Sequence, residues 1–171
     1  KPLFTLRQRS DITIALDKAS VALHKSSMTD GGVLVLDRKK FTITEEGNAF
    51  FDFSFYDIAI RTGGSEIFIN SVACGIIAGM IGVEFRSVEH VMEATFAGKS
   101  EEIIRKNKEV AGAGYDFVKN NFKQDKFRIK AGTIKDAGIL VMNGNDAIAL
   151  GAIRAGCKFY SAYPMSPSTT I

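Results

Sequence analysis

Residues 11–36 constrain the fold more than any other stretch, because the spacing of their apolar side chains changes twice. Apolar and polar residues alternate over residues 11–16, which is typical of a half-buried strand. Helical spacing follows over residues 18–28, where Asp17 is placed to cap the helix, and residues 33–36 are continuously apolar, as in a buried strand. A strand, a helix and a strand in succession form a unit whose two strands run parallel. We therefore predict an α/β fold with a parallel sheet.

The segments around this unit are interpreted as turns and loops. Residues 29–32 are rich in turn-forming types, so a turn is predicted there, and Asp37 is interpreted as a solvated loop residue. Residues 41–43 are a predicted edge strand. The aromatic residues within 50–56 are expected to lie in a loop that enters a helix near Ser54. Core filling is the favoured role for these aromatic side chains, with a groove for a base or a partner as the alternative.

Residues 67–83 are apolar on nearly every side of a helix, which is typical of a helix buried in a core. Gly75, Gly79 and Gly82 are spaced four and three residues apart, so they form a strip where a neighbouring backbone can approach closely. Asn70 lies near the start of this helix and either caps it or contacts a bound ligand. We expect this helix to be a central packing element.

Two further helices are predicted before residue 122. Ser87 is the expected cap of an amphipathic helix, and Ser100 begins a longer helix that runs to about Asn121. Asn107 lies inside the apolar stripe of the longer helix. Because a buried amide needs hydrogen-bonding partners, Asn107 is expected to join its helix to a neighbouring loop.

Composition argues against several classes of function. The chain of 171 residues has a net charge of +3 and no block of Lys and Arg dense enough for binding nucleic acid. Its longest apolar run, residues 72–83, is shorter than the roughly 20 residues that span a bilayer. We therefore expect a cytoplasmic protein that binds neither nucleic acid nor membrane.

Cysteine and histidine, which supply many of the metal ligands in proteins, number only two each in this chain. Cys74 and Cys157 lie in apolar surroundings and are predicted to be buried thiols. An iron–sulfur cluster takes about four ligands, more than the two cysteines here. His24 and His90 have no second histidine or cysteine at ligand spacing and are interpreted as surface residues. The sequence predicts no metal site and no bound iron.

The last 33 residues show a second succession of elements. Residues 139–142 form an apolar run of strand length, followed by a turn with capping residues at 143–145. Gly151, inside the next helix, suggests that another backbone packs close to it, and Gly156 is placed to end the helix. Residues 158–163 alternate and are rich in aromatics, so a short strand is predicted there.

Residues 163–170 combine two prolines with four serine and threonine hydroxyls. Each proline favours an extended residue before it, and Pro167 suits the first position of a helix that Ser166 caps. The expected result is a rigid loop at the carboxyl end of a strand, where open α/β sheets bind ligands. An ordinary capped helix start is the alternative interpretation, and both stay open on physical grounds.

Residues 144–169 read GNDAIALGAIRAGCKFYSAYPMSPST. This pattern resembles the opening of the alpha chain in 2-oxoacid:ferredoxin oxidoreductases, thiamine-diphosphate enzymes that include the pyruvate and 2-oxoglutarate members. The family loop usually has Thr after its Ile, where this chain has Met165 followed by Ser166. Serine keeps the hydroxyl, so contact with substrate is still expected.

The preceding residues are similar to the back half of the gamma domain in the same family. The resemblance implies a fused gamma–alpha subunit cut at both ends, hence a fragment. Its expected parts are a gamma-type domain over residues 1–122, a linker over 123–138 and the first βαβ-like elements of a thiamine-enzyme alpha domain over 139–171. The matching positions are Asp11-Ile12, Gly31-Gly32-Val33, Asn70 with Ala73 and Gly75, Gly82, and the helix from Asn107 to Gly114.

The resemblance also implies an activity. Such an enzyme decarboxylates a 2-oxoacid of the 2-oxoglutarate or pyruvate class, transfers the acyl group to coenzyme A and passes electrons to ferredoxin. Thiamine supplies the electron sink while the protein orients the substrate. Ser166, Tyr163 and Pro164 are the implied substrate contacts, and Asn70 is the expected cofactor contact. No catalytic residue or metal ligand is assigned to this chain, so the chain by itself is expected to be inactive.

Cofactors and partners follow from the same resemblance. Thiamine diphosphate and Mg²⁺ would be held mainly by a beta subunit, and the iron–sulfur cluster would also lie on a partner. Coenzyme A is the implied co-substrate, and ferredoxin is the implied electron acceptor of a hetero-oligomer. One alternative of a different class remains: a non-catalytic α/β binding or assembly module that keeps the scaffold. The absence of a recognisable activating glutamate is expected under both hypotheses.

Overall fold

The computed structural model describes residues 9–40, 50–123, 127–128, 142–163, 165–166 and 168. The chain divides into two compact units, residues 1–130 and residues 131–171. The predicted edge strand at 41–43, most of the predicted linker at 123–138 and the first three residues of the predicted strand at 139–142 lie outside the described residues. The three predicted domain ranges therefore stay a prediction.

A parallel sheet of three strands organises the first unit. Its strands are β1 (Ser10–Ile14), β2 (Met28–Leu36) and β3 (Phe50–Asp52), in the order β1-β2-β3. Both strand pairs are parallel, and helix α1 (Lys18–His24) connects the first two strands. The predicted α/β fold with a parallel sheet is confirmed.

Helix α1 begins where the sequence predicts and ends earlier. The carboxylate of Asp17 caps it by accepting the backbone N–H of Ser20 at 2.8 Å. The α-helix ends at His24 and continues as a 3₁₀ turn (Lys25–Ser27), after which Met28 begins β2 and pairs with Ser10. Residues 29–32 therefore belong to β2, and the predicted turn there is wrong. The pairing register shifts between Ser10 and Ile12, and a Cβ built on Gly32 would lie 3.0 Å from the carbonyl oxygen of Ser10, so β1 packs closely against Gly32 at this irregularity.

Five longer helical segments follow β3. They are α2 (Phe55–Ile58), which continues as a π-helical turn (Ala59–Gly63), α3 (Ile69–Ile81) after a 3₁₀ turn (Glu66–Phe68), α4 (Phe85–Thr95), α5 (Glu101–Asn121) and, in the second unit, α6 (Gly144–Arg154). Gly82 ends α3 in the left-handed conformation, with φ of 77°. Ser100 caps α5 as predicted. Ser87 lies inside α4, whose N-cap is Glu84, so the predicted cap at Ser87 is wrong.

The sheet packs a different apolar layer on each face, because side chains along a strand point alternately to opposite sides. Val33 and Val35 of β2 face the main cluster, while Leu34 and Leu36 face a smaller cluster with α1. The main cluster also takes buried residues of α2, α3 and α5, among them Phe55, Val72, Ile76, Val110 and Val118. Helices therefore cover the sheet on both faces.

Helices α3 and α5 approach so closely that their backbones touch. A Cβ atom built on Gly75 would lie 1.9 Å from the carbonyl oxygen of Ala111, and one built on Gly114 would lie 2.6 Å from the carbonyl oxygen of Val72. Each helix therefore contributes a glycine against the backbone of the other. The predicted glycine strip on α3 is confirmed at Gly75 and at Gly79, where a Cβ would lie 3.3 Å from the carbonyl oxygen of Tyr115, whereas Gly82 ends the helix and faces the side chain of Arg128.

A buried polar pair joins the same two helices. Asn107 of α5 and Ser71 of α3 are 5% and 6% exposed, and the Ser71 hydroxyl donates to Asn107 Oδ1 at 2.5 Å. The Asn107 amide nitrogen donates to the carbonyl of Ile103 at 2.8 Å. Asn107 therefore has the hydrogen-bonding partners that its burial requires. The predicted contact with a loop is wrong, because Asn107 joins α5 to helix α3.

The aromatic segment after β2 divides between the sheet and the core. Phe50–Asp52 is a strand and not the predicted loop, whereas the helix does start after Ser54. Phe53 and Phe55 are buried, which confirms the predicted core-filling role for these two side chains.

Three side chains differ from their predicted environments. Asp37 is 3% exposed, and its carboxylate accepts the backbone N–H groups of Lys39 at 3.1 Å and Tyr56 at 3.0 Å. The solvated role predicted for Asp37 is therefore wrong, because the carboxylate connects the end of β2 to the start of α2. Cys74 and Cys157 are both exposed, so the predicted burial of these thiols is also wrong.

In the part of the chain that the structure describes, no single helix is both long enough and apolar enough to span a membrane. One pair of helical segments, Phe55–Gly63 and Glu66–Ile81, is bent by 118° between its two parts and meets the length and composition of a membrane span but shows no other sign of one.

Candidate functional site

Helix α6 leads into the loop that carries the predicted substrate contacts. Asn143 caps the helix by accepting the backbone N–H of Asp146 at 2.9 Å, which is the expected arrangement at this turn. Gly156 follows the helix in the left-handed conformation, with φ of 90°, and the N–H of Cys157 donates to the carbonyl of Ala152 at 3.0 Å. The predicted helix stop at Gly156 is confirmed, and the chain direction into the loop is fixed there.

The second unit leaves α6 uncovered among the residues that the structure describes. Ile148 and Ile153 are 58% and 70% exposed, and α6 has no buried residue. Among the described residues outside α6, no heavy atom lies within 4 Å of a Cβ built on Gly151, so this part of the chain does not supply the close backbone neighbour predicted at Gly151. Residues 158–163 do not form a strand, since no described strand pairs with them.

The loop from Tyr163 to Ser168 is closed by hydrogen bonds to two backbone carbonyls. The N–H of Ser168 donates to the carbonyl of Met165 at 2.9 Å, and the N–H of Met165 donates to the carbonyl of Tyr163 at 2.7 Å. The Ser168 hydroxyl lies 2.7 Å from each of these carbonyl oxygens. The loop therefore has a defined turn with Ser166 inside it.

The side chains predicted to contact substrate are exposed on this loop. Tyr163 is 79% exposed and Met165 is 65% exposed. Ser166 is also exposed, and within the described residues its hydroxyl makes no hydrogen bond. Pro164 lies outside the described residues. The structure thus brings Tyr163 and Ser166 together in one loop, with both side chains accessible.

Sequence reasoning missed the role of Ser168. Its hydroxyl contacts the backbone of the loop, and Ser168 is half-buried whereas Tyr163, Met165 and Ser166 are exposed. A signal for this role was present in the sequence: prolines at 164 and 167 carry no N–H, so the loop is short of backbone donors. A nearby hydroxyl is the natural substitute donor.

Asn70, the predicted cofactor contact, belongs to the first unit. It lies in the first turn of α3 and is exposed. Phe68 occupies the N-cap position of α3 and makes no side-chain capping bond. Asn70 therefore does not cap the helix, which was the alternative role predicted for it. Its amide is accessible to a ligand.

The carboxyl ends of the parallel strands, where α/β sheets bind ligands, are filled by the protein's own side chains. A cavity of only about 10 Å³ remains beside Asp37, Lys40 and Tyr56. The Lys40 ammonium contacts the Tyr56 hydroxyl, and this hydrogen bond raises the pKa of Lys40. Lys39 pairs with Asp57, and that hydrogen bond raises the pKa of Lys39. A cavity of this size holds about one water at most, so among the described residues this cavity is too small for a cofactor.

A larger groove lies between α4 and α5. Its volume is about 660 Å³, and Phe85 and Ile104 supply apolar lining. Lys108 on its rim pairs with Glu93 at 2.8 Å and Glu89 at 3.4 Å, and the hydrogen bond to Glu93 raises the pKa of Lys108. The size suits a small ligand or a segment of a partner, while the charge of the rim lysine is already balanced.

Among the described residues, no three His, Cys, Asp or Glu side chains converge in a way that could hold a metal ion. These residues therefore supply no ligand set for Mg²⁺ or an iron–sulfur cluster.

Comparison with known proteins decides the family. A family model described as pyruvate ferredoxin/flavodoxin oxidoreductase matches residues 1–117, more than half of the chain. The chain belongs to this family. The resemblance found in the sequence to 2-oxoacid:ferredoxin oxidoreductases is thereby confirmed.

Curated relatives within the pyruvate ferredoxin/flavodoxin oxidoreductase family match parts of the chain. The alpha subunit of 2-oxoacid:ferredoxin oxidoreductase 2 from Aeropyrum pernix is 30% identical over 101 residues, which are 59% of this chain and 16% of that subunit. Subunit KorA of 2-oxoglutarate synthase from Methanothermobacter thermautotrophicus is 60% identical over 30 residues, 18% of this chain and 8% of KorA. The matches thus span less than a fifth of the length of these relatives.

A solved structure of a related enzyme is similar over nearly the whole chain. The 2-oxoglutarate:ferredoxin oxidoreductase from Magnetococcus marinus, solved with 2-oxoglutarate, coenzyme A and succinyl-CoA bound, superposes with a TM-score of 0.77 at 26% identity. The similarity covers 93% of this chain and 28% of that chain. The family match ends at residue 117, whereas this structural match includes most of the chain beyond it.

Proposed function

We propose that this chain is part of a 2-oxoacid:ferredoxin oxidoreductase whose substrate belongs to the 2-oxoglutarate class. Such an enzyme releases the carboxylate of the 2-oxoacid as CO₂, joins the acyl group to the thiol of coenzyme A and passes an electron pair to ferredoxin. Family membership supports the reaction class. The names of the KorA relative and of the solved Magnetococcus marinus enzyme support 2-oxoglutarate over pyruvate.

The exposed hydroxyl of Ser166 is the observation that carries a substrate-binding role. This hydroxyl has no partner among the described residues, and the loop around it is closed by hydrogen bonds. A donor that is held in place before the substrate arrives loses little conformational entropy on binding. Ser166 would donate to the carboxylate or keto oxygen of the 2-oxoacid. Tyr163, exposed beside it, would supply a second contact, and Pro164 a van der Waals contact.

The cofactors of this reaction are proposed to lie mainly on partner subunits. The described residues form no ligand set for Mg²⁺ or iron, which supports a site for thiamine diphosphate and the cluster on partner subunits. Asn70 is proposed as a cofactor contact, because its amide is exposed at the start of α3 and does not serve as a cap. The Aeropyrum pernix and KorA relatives are named as subunits, which supports a hetero-oligomer with a beta subunit that carries thiamine diphosphate. Ferredoxin is the proposed acceptor, and the cytoplasm is the proposed location.

Kinetics of Ser166 variants in the complete subunit complex test this proposal. Ser166→Ala is expected to lower kcat/KM for 2-oxoglutarate by roughly one to two powers of ten, since a hydrogen bond to a charged group contributes about 1.5–3 kcal/mol. Ser166→Thr keeps the hydroxyl and is expected to retain activity. Ferredoxin reduction that depends on the 2-oxoacid and coenzyme A is the assay.

The alternative role of Ser166 gives a different result. If Ser166 is only a helix cap, Ser166→Ala costs about 1 kcal/mol of stability and leaves kcat/KM unchanged. An assembled complex that reduces no ferredoxin with any 2-oxoacid would instead favour the non-catalytic assembly module. Parallel assays with pyruvate and 2-oxoglutarate settle the substrate class.

A further inference from the structure

We infer that Ser168 is the positioning residue of the loop, holding Ser166 in the orientation in which it meets the substrate. This inference rests on the proposed function of Ser166. Ser168 itself does not need to touch the substrate, because its hydroxyl already lies within hydrogen-bond distance of backbone carbonyls.

The contacts of Ser168 span the loop. Its Oγ lies 2.7 Å from the carbonyl oxygen of Tyr163 and 2.7 Å from that of Met165, and its N–H donates to the Met165 carbonyl at 2.9 Å. A serine hydroxyl has a single proton, so the two carbonyls share it in a three-centre bond. These contacts bracket Ser166 on both sides along the chain.

The composition of the loop explains why a side-chain donor is needed. Residues 164 and 167 are prolines, which have no N–H to donate. The carbonyls of Tyr163 and Met165 each accept one backbone N–H, and the Ser168 hydroxyl adds a side-chain donor to the same two oxygens. Ser168 is half-buried, whereas Tyr163, Met165 and Ser166 are exposed. One serine therefore faces the loop backbone and the other faces outward.

A further bond connects this loop to the segment after α6. The hydroxyl of Tyr160 donates to the carbonyl of Ser168 at 3.3 Å. Since Gly156 fixes the chain direction at the end of α6, Tyr160 and Ser168 link the loop to that helix end. Loss of the Ser168 hydroxyl would leave Ser166 on a segment with fewer constraints.

A double-mutant cycle in the complete subunit complex tests the inference. Ser168→Ala is expected to lower kcat/KM for the 2-oxoacid by about three- to tenfold, the loss expected for one neutral hydrogen bond. Once Ser166 is already alanine, the same change is expected to have little further effect, because Ser168 acts through Ser166. Ser168→Thr keeps the hydroxyl and should restore kcat/KM to near the unmodified value.

Ser161→Ala is the matched control. Ser161 is an exposed serine two residues before Tyr163, and its hydroxyl makes no hydrogen bond among the described residues. Removal of this hydroxyl should therefore leave kcat/KM unchanged. Thermal melts of all variants show whether each one is folded. Amide exchange of the loop peptide, followed by mass spectrometry, should accelerate in Ser168→Ala and not in Ser161→Ala.

Each outcome has a distinct meaning. A normal kcat/KM in folded Ser168→Ala, an effect that simply adds to that of Ser166→Ala, or a failure of Ser168→Thr to restore kcat/KM overturns the inference about Ser168 alone. A normal kcat/KM in Ser166→Ala overturns the substrate role of Ser166, and the positioning role of Ser168 is then lost with it.

Discussion

Gly75→Ala is expected to destabilise the first unit strongly, although alanine is the better helix former. The new Cβ would lie 1.9 Å from the carbonyl oxygen of Ala111 and 3.0 Å from the backbone nitrogen of Tyr115. Real Cβ atoms essentially never come within 3.0 Å of another heavy atom, so α3 and α5 would have to separate by about 1 Å. The obstacle is backbone, which cannot rotate aside as a side chain can.

The magnitude follows from two opposing terms. Alanine in place of glycine favours a helix by about 1 kcal/mol. Overpacking of a well-packed core typically costs about 1–3 kcal/mol, occasionally more, and a backbone contact puts Gly75 at or beyond the upper end. We therefore expect a net loss of about 2–3 kcal/mol in the free energy of unfolding. That is a large share of the roughly 5–15 kcal/mol that stabilises a typical domain.

Urea unfolding followed by circular dichroism is the assay, with Gly112→Ala as the control on α5. A Cβ on Gly112 would lie 3.3 Å from Cζ of Phe85, the far end of a side chain that can shift. Its change in stability is expected to stay within about 1 kcal/mol of the unmodified protein. If Gly75→Ala is as stable as Gly112→Ala, the two helices do not touch through their backbones and the reasoning is refuted.

Three further predictions concern buried and capping polar groups. Asn107→Ala removes the acceptor of the buried Ser71 hydroxyl and should lower the free energy of unfolding by about 1–3 kcal/mol in urea; unchanged stability would contradict it. Asp37→Asn leaves one of two backbone N–H groups without an acceptor and should cost about 1–3 kcal/mol in the same assay, and a stability equal to that of the unmodified protein would show that this carboxylate is dispensable. The pKa of Asp17 is lowered because its carboxylate accepts hydrogen bonds from Ser20, so its stabilising effect is complete above the unfolded-state pKa and is lost as pH falls through the folded one. The melting-temperature difference between the unmodified protein and Asp17→Ala should therefore shrink below about pH 4, and a difference that stays constant down to about pH 3 would argue against this role.

Elements that depend on a local pattern of residues could be predicted from the sequence. Alternation over residues 11–16 and the glycine spacing in α3 predict a parallel strand and a close helix contact, and the structure has both. The cap at Ser100 and the stop at Gly156 were equally predictable, since each depends on a few adjacent residues.

Long-range contacts explain the errors. Residues 29–32 resemble a turn, but they lie in β2 between Met28 and Val33, which both pair with β1, so tertiary structure overrides local preference. Asp37 resembles a solvated acid until α2 brings the N–H of Tyr56 to it. Ser168 could not be distinguished from Ser166 by type alone, because only the folded loop shows which hydroxyl meets the carbonyls.

The paired glycines of α3 and α5 also limit what a comparison of relatives can teach. Gly75 lies against the backbone at Ala111, and Gly114 lies against the backbone at Val72, so a larger residue at either position cannot be compensated by trimming a partner side chain. Any relative that keeps this helix pair at this distance must keep both glycines, whatever substrate it uses. Invariance at these two positions would therefore report the spacing of the helices and would carry no information about chemistry.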